Sequence, residues 1–275
     1  MKVDYLIDKG SGSNNEDEFL IKDNLFGVFD GLTGLNRYKD AKGKTSGQIA
    51  SQLVKKIFED NSDEKLIDVL HRANKQINKE IENAKTNLSS KENRPGSSVA
   101  VVKIKNGCID YIQIHDSPII FIFKDGAYRM ISGRQNIDLK TILLWKKIAV
   151  KQKIKGWYEN KAILNILIQE RKKVNVTYGC LNGEKEVFQF VLHGTLSLDN
   201  ISHILLFTDG LFLPKQDPRK NEDIDRLVKL FLKHGLKYIK NYVRKLENSD
   251  PNSIKYPRFK QHDDIAAISV SFDIS

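Results

Sequence analysis

The chain has two cysteines, Cys108 and Cys180, in 275 residues. Two cannot form a disulfide framework, and neither lies in a Cys-x-x-Cys pair. That excludes a cysteine-ligated zinc site and fits a reducing compartment. Six prolines and 17 glycines exclude proline-rich and collagen-like chains. The longest apolar run, Ile119–Phe123, falls far short of the roughly 20 residues of a membrane-spanning helix. The opening MKVDYLIDKG has no long apolar stretch and is unlike a secretory signal, so no membrane insertion and a cytoplasmic location are expected.

What the chain does have is charge. Lys and Arg number 45 against 35 Asp and Glu, for a net charge of +10 and a pI near 9.3. Such a surface attracts polyanions: nucleic acid, acidic lipid or phosphorylated protein. Lysine dominates the excess, and a solvated lysine-rich surface explains it equally well. The apolar residues come in clusters, the signature of a globular chain. No repeat, low-complexity tract or clean linker divides it, so one domain over 1–275 is expected.

Strand patterns run over Val3–Asp8, Glu18–Lys22, Leu25–Phe29, Ser98–Lys105, Ile109–His115, Ile119–Lys124, Val187–Leu192, His203–Thr208 and Ile265–Phe272. Asn106-Gly107 is the strongest hairpin signal. Apolar residues at three- and four-residue spacing predict helices over Thr45–Asp60 and roughly Asp63–Lys85, and Glu222–Leu246 reads as helical and basic. Leu139–Asn175 differs from the rest, with ten Lys and Arg against two acids and helix-like segments around Gly156. Its apolar residues, Trp145 and Trp157 among them, read as packing. Strands in hairpins and helices in pairs favour antiparallel sheets with helices outside them.

The acids are placed systematically. Asp30 follows LFGVF, Asp116 follows YIQIH, Asp209 follows ILLFT, Asp263 precedes IAAISVSF, and Glu16-Asp17 opens EFLI. One Asp-Gly alone is an ordinary turn. Several acids at strand ends, if they meet, form a carboxylate cluster that needs hard cations, and oxygen donors select Mg2+, Mn2+ or Ca2+ over zinc. Gly43-Lys44-Thr45 mimics the end of a phosphate-binding loop, but Tyr38 stands where its first glycine is required.

Seven segments occur in a familiar order: NNEDEF (Asn14–Phe19), GVFDGLTG (Gly27–Gly34), SGQIAS (Ser46–Ser51), GSSVAVV (Gly96–Val102), IHDSPIIF (Ile114–Phe121), ILLFTDGLF (Ile204–Phe212) and HDDIAAISV (His262–Val270). Together they resemble the metal-dependent serine/threonine phosphatases of the protein phosphatase 2C (PPM) family. The resemblance implies an α+β fold, a four-layer αββα sandwich with two central antiparallel sheets. It implies hydrolysis of phosphoserine or phosphothreonine in proteins by a metal-activated water, without a phosphoenzyme, in opposition to a Ser/Thr kinase. Two divalent cations, Mn2+ or Mg2+, are implied, with a weaker third.

Carried over by motif, Asp30 bridges the two cations, the Gly31 carbonyl and Glu16 bind the second, and Asp209 and Asp263 bind the first. Asp17 acts through metal-bound water, and Asp116 holds the third cation. Asp30, Asp209 and Asp263 are thus the expected catalytic set. The sequence departs from the family pattern in three places. Gly12 occupies the position of the usual phosphate-gripping Arg, with Lys9 the nearby basic candidate. Leu32 replaces a His found in many members, and His115 replaces the Gly of Gly-Asp-Ser. The basic stretch 139–175 falls where the family carries a variable insert. Two alternatives stand beside the phosphatase reading: a catalytically weak phosphatase-like regulatory module, and a nucleic-acid-binding protein or metal-dependent nuclease using the basic surface.

Overall fold

The computed structural model describes residues 1–83, 88, 90–133, 137–149 and 160–272. Within them the chain runs β1 (Lys2–Asp8), β2 (Glu18–Lys22), β3 (Leu25–Phe29), β4 (Gly31–Leu32), α1 (Ser46–Asp60), α2 (Leu66–Asn83), β5 (Gly96–Ser97) and β6 (Val99–Lys105). It continues with β7 (Cys108–Ile114), β8 (Ile119–Phe123), β9 (Tyr128–Ile131), α3 (Leu139–Ala149) and α4 (Lys161–Arg171). The last elements are β10 (Leu192–Ser197), β11 (Ile201–Phe207), α5 (Ile224–His234), α6 (Leu236–Asn248) and β12 (Ile265–Ser271).

Two five-stranded antiparallel sheets, ordered β10-β7-β6-β3-β2 and β1-β12-β11-β8-β9, lie face to face. A small β4-β5 pair sits beside the first. Strand periodicity explains the layering, because successive side chains point to opposite faces and in the inner strands both faces are buried. On β3, Phe26 and Val28 enter the core between the sheets, while Leu25 and Phe29 pack on α1 and α2 through Val54, Phe58 and Leu70. On β11, Ile204 and Leu206 face the other sheet, while Leu205 and Phe207 face α5 and α6 through Leu227, Phe231 and Val243. Three apolar seams therefore bind four layers, αββα.

The local chemistry is consistent with these elements. Thr45 caps α1 by accepting from Gln48 N, and Asn160 caps α4 by accepting from Ala162 N and Ile163 N. Asn106 and Gly107 both have positive φ, 53° and 73°, as a two-residue hairpin turn requires. The helical stretch read over Glu222–Leu246 is two helices. Gly235 separates them with φ 78°, a conformation other residues resist.

One expectation is corrected. Val187–Leu192 is not a strand: Lys185–Phe190 form a 3-10 turn, and β10 begins at Leu192. Val187 is wholly buried in the seam under α2, and its neighbour Phe188 stacks on His71 at 3.8 Å, so adjacent residues both pack where a strand would alternate. The strands β9 and β10 escaped the sequence pattern, being mostly exposed and short of alternating apolar residues. The expected helix end at Ala84–Lys85, and Gly156 and Trp157 of the insert, lie outside the described residues. Among those described, no helix is long and apolar enough to cross a membrane.

Candidate active site

The strand ends deliver the acids to one end of the sandwich. Asp30 leaves β3 directly, and its backbone is tied to Ser98, whose N–H donates to Asp30 O at 2.8 Å. Asp116 follows β7 by two residues and Asp209 follows β11 by two. The β11–β12 ladder continues past Phe207, with Thr208 N–H donating to Ala266 O at 2.9 Å, which aligns Asp209 with the start of β12. Among the described residues, Asp30, Asp116 and Asp209 place carboxylate oxygens within 4.8 Å of one another.

The other predicted residues are distributed around this cluster. Glu16, Gly31 and Asp263 line the same cleft, a cavity of about 1340 Å3. Glu16 accepts from the Thr33 hydroxyl at 2.7 Å, and Thr33 in turn accepts from Gly47 N–H at 2.9 Å. Gly31 is irreplaceable, since a Cβ there would sit 2.4 Å from Gly47 O. Asp263 is bonded to Lys260 at 2.6 Å, and its charge foremost holds the Lys260 ammonium above its ordinary range. Asp17 is 3 % exposed and lies behind the cleft, within reach of the Thr208 hydroxyl. Lys9 is exposed and is not among the residues lining the cleft. Gly12 lines it but offers no side chain.

The electrostatics follow from crowding. Withdrawal from bulk water raises the Asp30 carboxyl well above the usual carboxylate range, and the charges of Asp17, Asp209, Asp116 and Asp263 raise it further. Burial likewise raises Asp17; the Thr208 hydroxyl opposes this, and Asp264, Asp263 and Asp209 add to it. One oxygen of Asp17, Oδ2, is buried with no hydrogen-bond partner among the described residues. Burial alone would lower the His115 imidazole, but the Asp116 charge and a 2.5 Å contact to Asp116 Oδ1 hold it above its ordinary value. His115 has φ 71°, which accounts for glycine as the family residue at this point.

Several residues at the site were given no site role from the sequence. Asp264 is buried, and its two oxygens accept from Gly10 N–H (2.7 Å) and Glu16 N–H (2.9 Å), fixing the loop that carries Glu16. The helices α3 and α4 pack on each other and contribute Trp145 and Arg171 to the cleft wall. Cys180 also lines it, but burial pushes its thiol up to about 12, so it is no nucleophile.

The clustered groups, Asp30, Asp116 and Asp209 with Glu16 and Asp263 beside them, offer oxygen donors, too many carboxylates to be ionised together without compensating positive charge. With the orphaned Asp17 Oδ2, the raised Asp30 and the glycine at 31, they suit hard divalent cations.

Comparison with known proteins agrees with the geometry. By sequence, no curated protein gives a significant match. By structure, the chain is similar to the serine/threonine phosphatase PstP/Ppp of Mycobacterium tuberculosis, at 15 % identity and TM-score 0.58, covering 99 % of this chain and 98 % of that one. It is also similar to Stp1 of Staphylococcus aureus, at 16 % identity and TM-score 0.59, covering 99 % and 95 %. A further solved structure is the PstP catalytic domain in complex with two manganese ions, at 15 % identity and TM-score 0.56, covering 99 % and 98 %. These similarities show a shared fold. The family model for protein phosphatase 2C matches residues 9–248, most of the chain. The chain therefore belongs to the protein phosphatase 2C family of metal-dependent serine/threonine phosphatases.

Proposed function

We propose that this chain hydrolyses phosphoserine and phosphothreonine in proteins, opposing a Ser/Thr kinase, with two Mn2+ or Mg2+ ions in the acidic cleft. The observation that carries this reading is the close approach of Asp30, Asp116 and Asp209 at the cleft floor. The two manganese ions of the PstP complex support the choice of metal. Asp30, the Gly31 carbonyl, Glu16, Asp209 and Asp263 would hold the pair, with Asp17 behind them and Asp116 at a weaker third position. When bound, such a pair lowers the pKa of a water and offsets the negative charge of the phosphoryl oxygens. The chain's own residues supply the positioning. Thr33 orients Glu16, Asp264 fixes the backbone of Glu16, and the Ser98 backbone fixes that of Asp30.

Gly12, with no side chain to hold a phosphate, favours one second reading: a metal-loaded module that binds phosphoprotein with little turnover. Calorimetry with Mn2+, run beside turnover of a phosphothreonine peptide, separates the two. Metal binding with turnover supports the phosphatase. Metal binding without turnover supports the module, and absence of metal binding contradicts both.

A further inference from the structure

Recognition of a phosphoryl group needs donors as well as carboxylates. Among the described residues, four basic side chains line the cleft: Arg37, Lys39, Arg171 and Lys260. Lys39 donates to Ser13 at 2.9 Å and Lys260 to Asp263 at 2.6 Å, so both are committed. Arg37, on the loop before α1, has an interaction of its own. Arg171 differs. It is the last residue of α4, and its Nη1 is shut from solvent with no hydrogen-bond partner among the described residues. The adjacent carboxylate, Glu170, is taken by Lys173, which contacts both its oxygens at 2.8 Å.

Two further observations converge on this wall of the cleft. Asp116 of the acidic cluster and Cys180 line the same cleft as Arg171. The insert also presents a second buried donor without a partner among the described residues, the Trp145 indole Nε1 on α3. Buried donors without acceptors are rare in folded proteins. Two on one wall of one cleft imply an acceptor that arrives from outside. A guanidinium selects an oxyanion with paired oxygens, and a phosphate monoester is such a group.

We propose that Arg171, carried by the insert, grips the substrate phosphate, the task for which the N-terminal loop has only Gly12. The proposal rests on the phosphatase reading above. Arg171 is partly exposed as a whole and lines the cleft, and in this proposal its guanidinium turns toward the incoming phosphate. Its base is firm: the Tyr178 hydroxyl donates to Glu170 O at 3.1 Å, and Asn175 Nδ2 braces the following loop through Cys180 O and Asn182 Oδ1. The insert therefore joins substrate binding directly and is more than a solvated face.

The test is calorimetry of inorganic phosphate binding to the Mn2+-loaded full chain, beside KM for a phosphothreonine peptide. Arg171→Met keeps the aliphatic stem and removes the fork; Arg171→Lys keeps the charge and loses the paired geometry. A hydrogen-bonded charge contact of this kind predicts phosphate affinity weakened roughly 10- to 100-fold in Arg171→Met, with an intermediate loss in Arg171→Lys. KM should rise in parallel, with Mn2+ affinity and melting temperature unchanged. The proposal is overturned if Arg171→Met binds phosphate as the wild type does, if the loss falls on Arg37→Ala instead, or if the wild type binds no phosphate. A variant that fails to fold shows in the melting curve, and Arg171→Lys then decides. Phosphate binding that depends on Arg171 without any turnover would contradict the phosphatase reading and leave the Arg171 contact standing.

Discussion

Asp263 and Asp264 are adjacent acids with different surroundings. Asp263 opens onto the cleft and Lys260, whereas Asp264 is buried against two backbone N–H groups. Asp263→Asn should raise the Mn2+ concentration for half-maximal activity by more than about 10-fold and leave stability nearly unchanged. Asp264→Ala should cost about 2 kcal/mol of stability, because it strands two donors that a carboxylate satisfied. Urea unfolding and a metal titration on both variants check this pair. Asp17 and Asp30 yield a pH prediction. Both are raised in the folded state, so between the ordinary carboxylate value, about 4, and their raised values the folded chain keeps protons that the unfolded chain has lost. Their contribution to stability is therefore full at low pH and lost as pH rises through the folded values. In EDTA, Asp17→Asn should raise the melting temperature at pH 8 and have less effect at pH 5; Mn2+ should reduce the advantage. A lower melting temperature for the variant at pH 8 in EDTA would contradict it. The acids at strand ends were legible in the sequence because strand period and turn chemistry are local. Asp264's grip on the Glu16 loop and Arg171's place in the cleft were not, since each depends on segments far apart in the chain.

At the scale of elements, two glycines with opposite surroundings give a contrast. Gly235 joins α5 to α6 at φ 78°, and a Cβ there meets nothing within 4 Å. At ψ 179° it lies in a region open essentially to glycine alone, so Gly235→Ala should cost its backbone strain, about 1–3 kcal/mol, with turnover intact. Gly210 follows Asp209, and a Cβ there would lie 2.0 Å from Asp264 O. Gly210→Ala should displace the β11–β12 end of the site and abolish turnover. Denaturant melts and a turnover assay on the two variants separate strain from collision. The strands Glu18–Lys22 and Leu25–Phe29 were readable to the residue, because their apolar runs end at a two-residue turn that includes Asp23 at φ 50°. Val187–Leu192 misled because its apolar residues serve a 3-10 turn wedged under α2, where tertiary packing overrides strand propensity. The edge strands β9 and β10 have too few buried residues to show a period.

The whole molecule is held by three apolar seams, two between helix and sheet and one between the sheets. Phe29 lies in the first seam at 0 % exposure, one residue before Asp30. Phe29→Ala should cost about 3–5 kcal/mol and take the site with it, read as a large fall in urea midpoint. Burial of both faces of each sheet is what allows strand ends from distant parts of the chain to meet with rigid geometry. Basic side chains, Arg37, Lys39, Arg171 and Lys260, line the cleft beside its acidic cluster, an arrangement suited to receiving a phosphorylated protein. The decisive measurement is turnover of a phosphothreonine peptide by the full chain in Mn2+ and in EDTA, beside Asp209→Asn. We predict turnover in Mn2+, none in EDTA, and a loss of more than about 100-fold in the variant. Turnover that survives EDTA or the substitution, or its absence in a wild-type chain that binds Mn2+, would contradict the account.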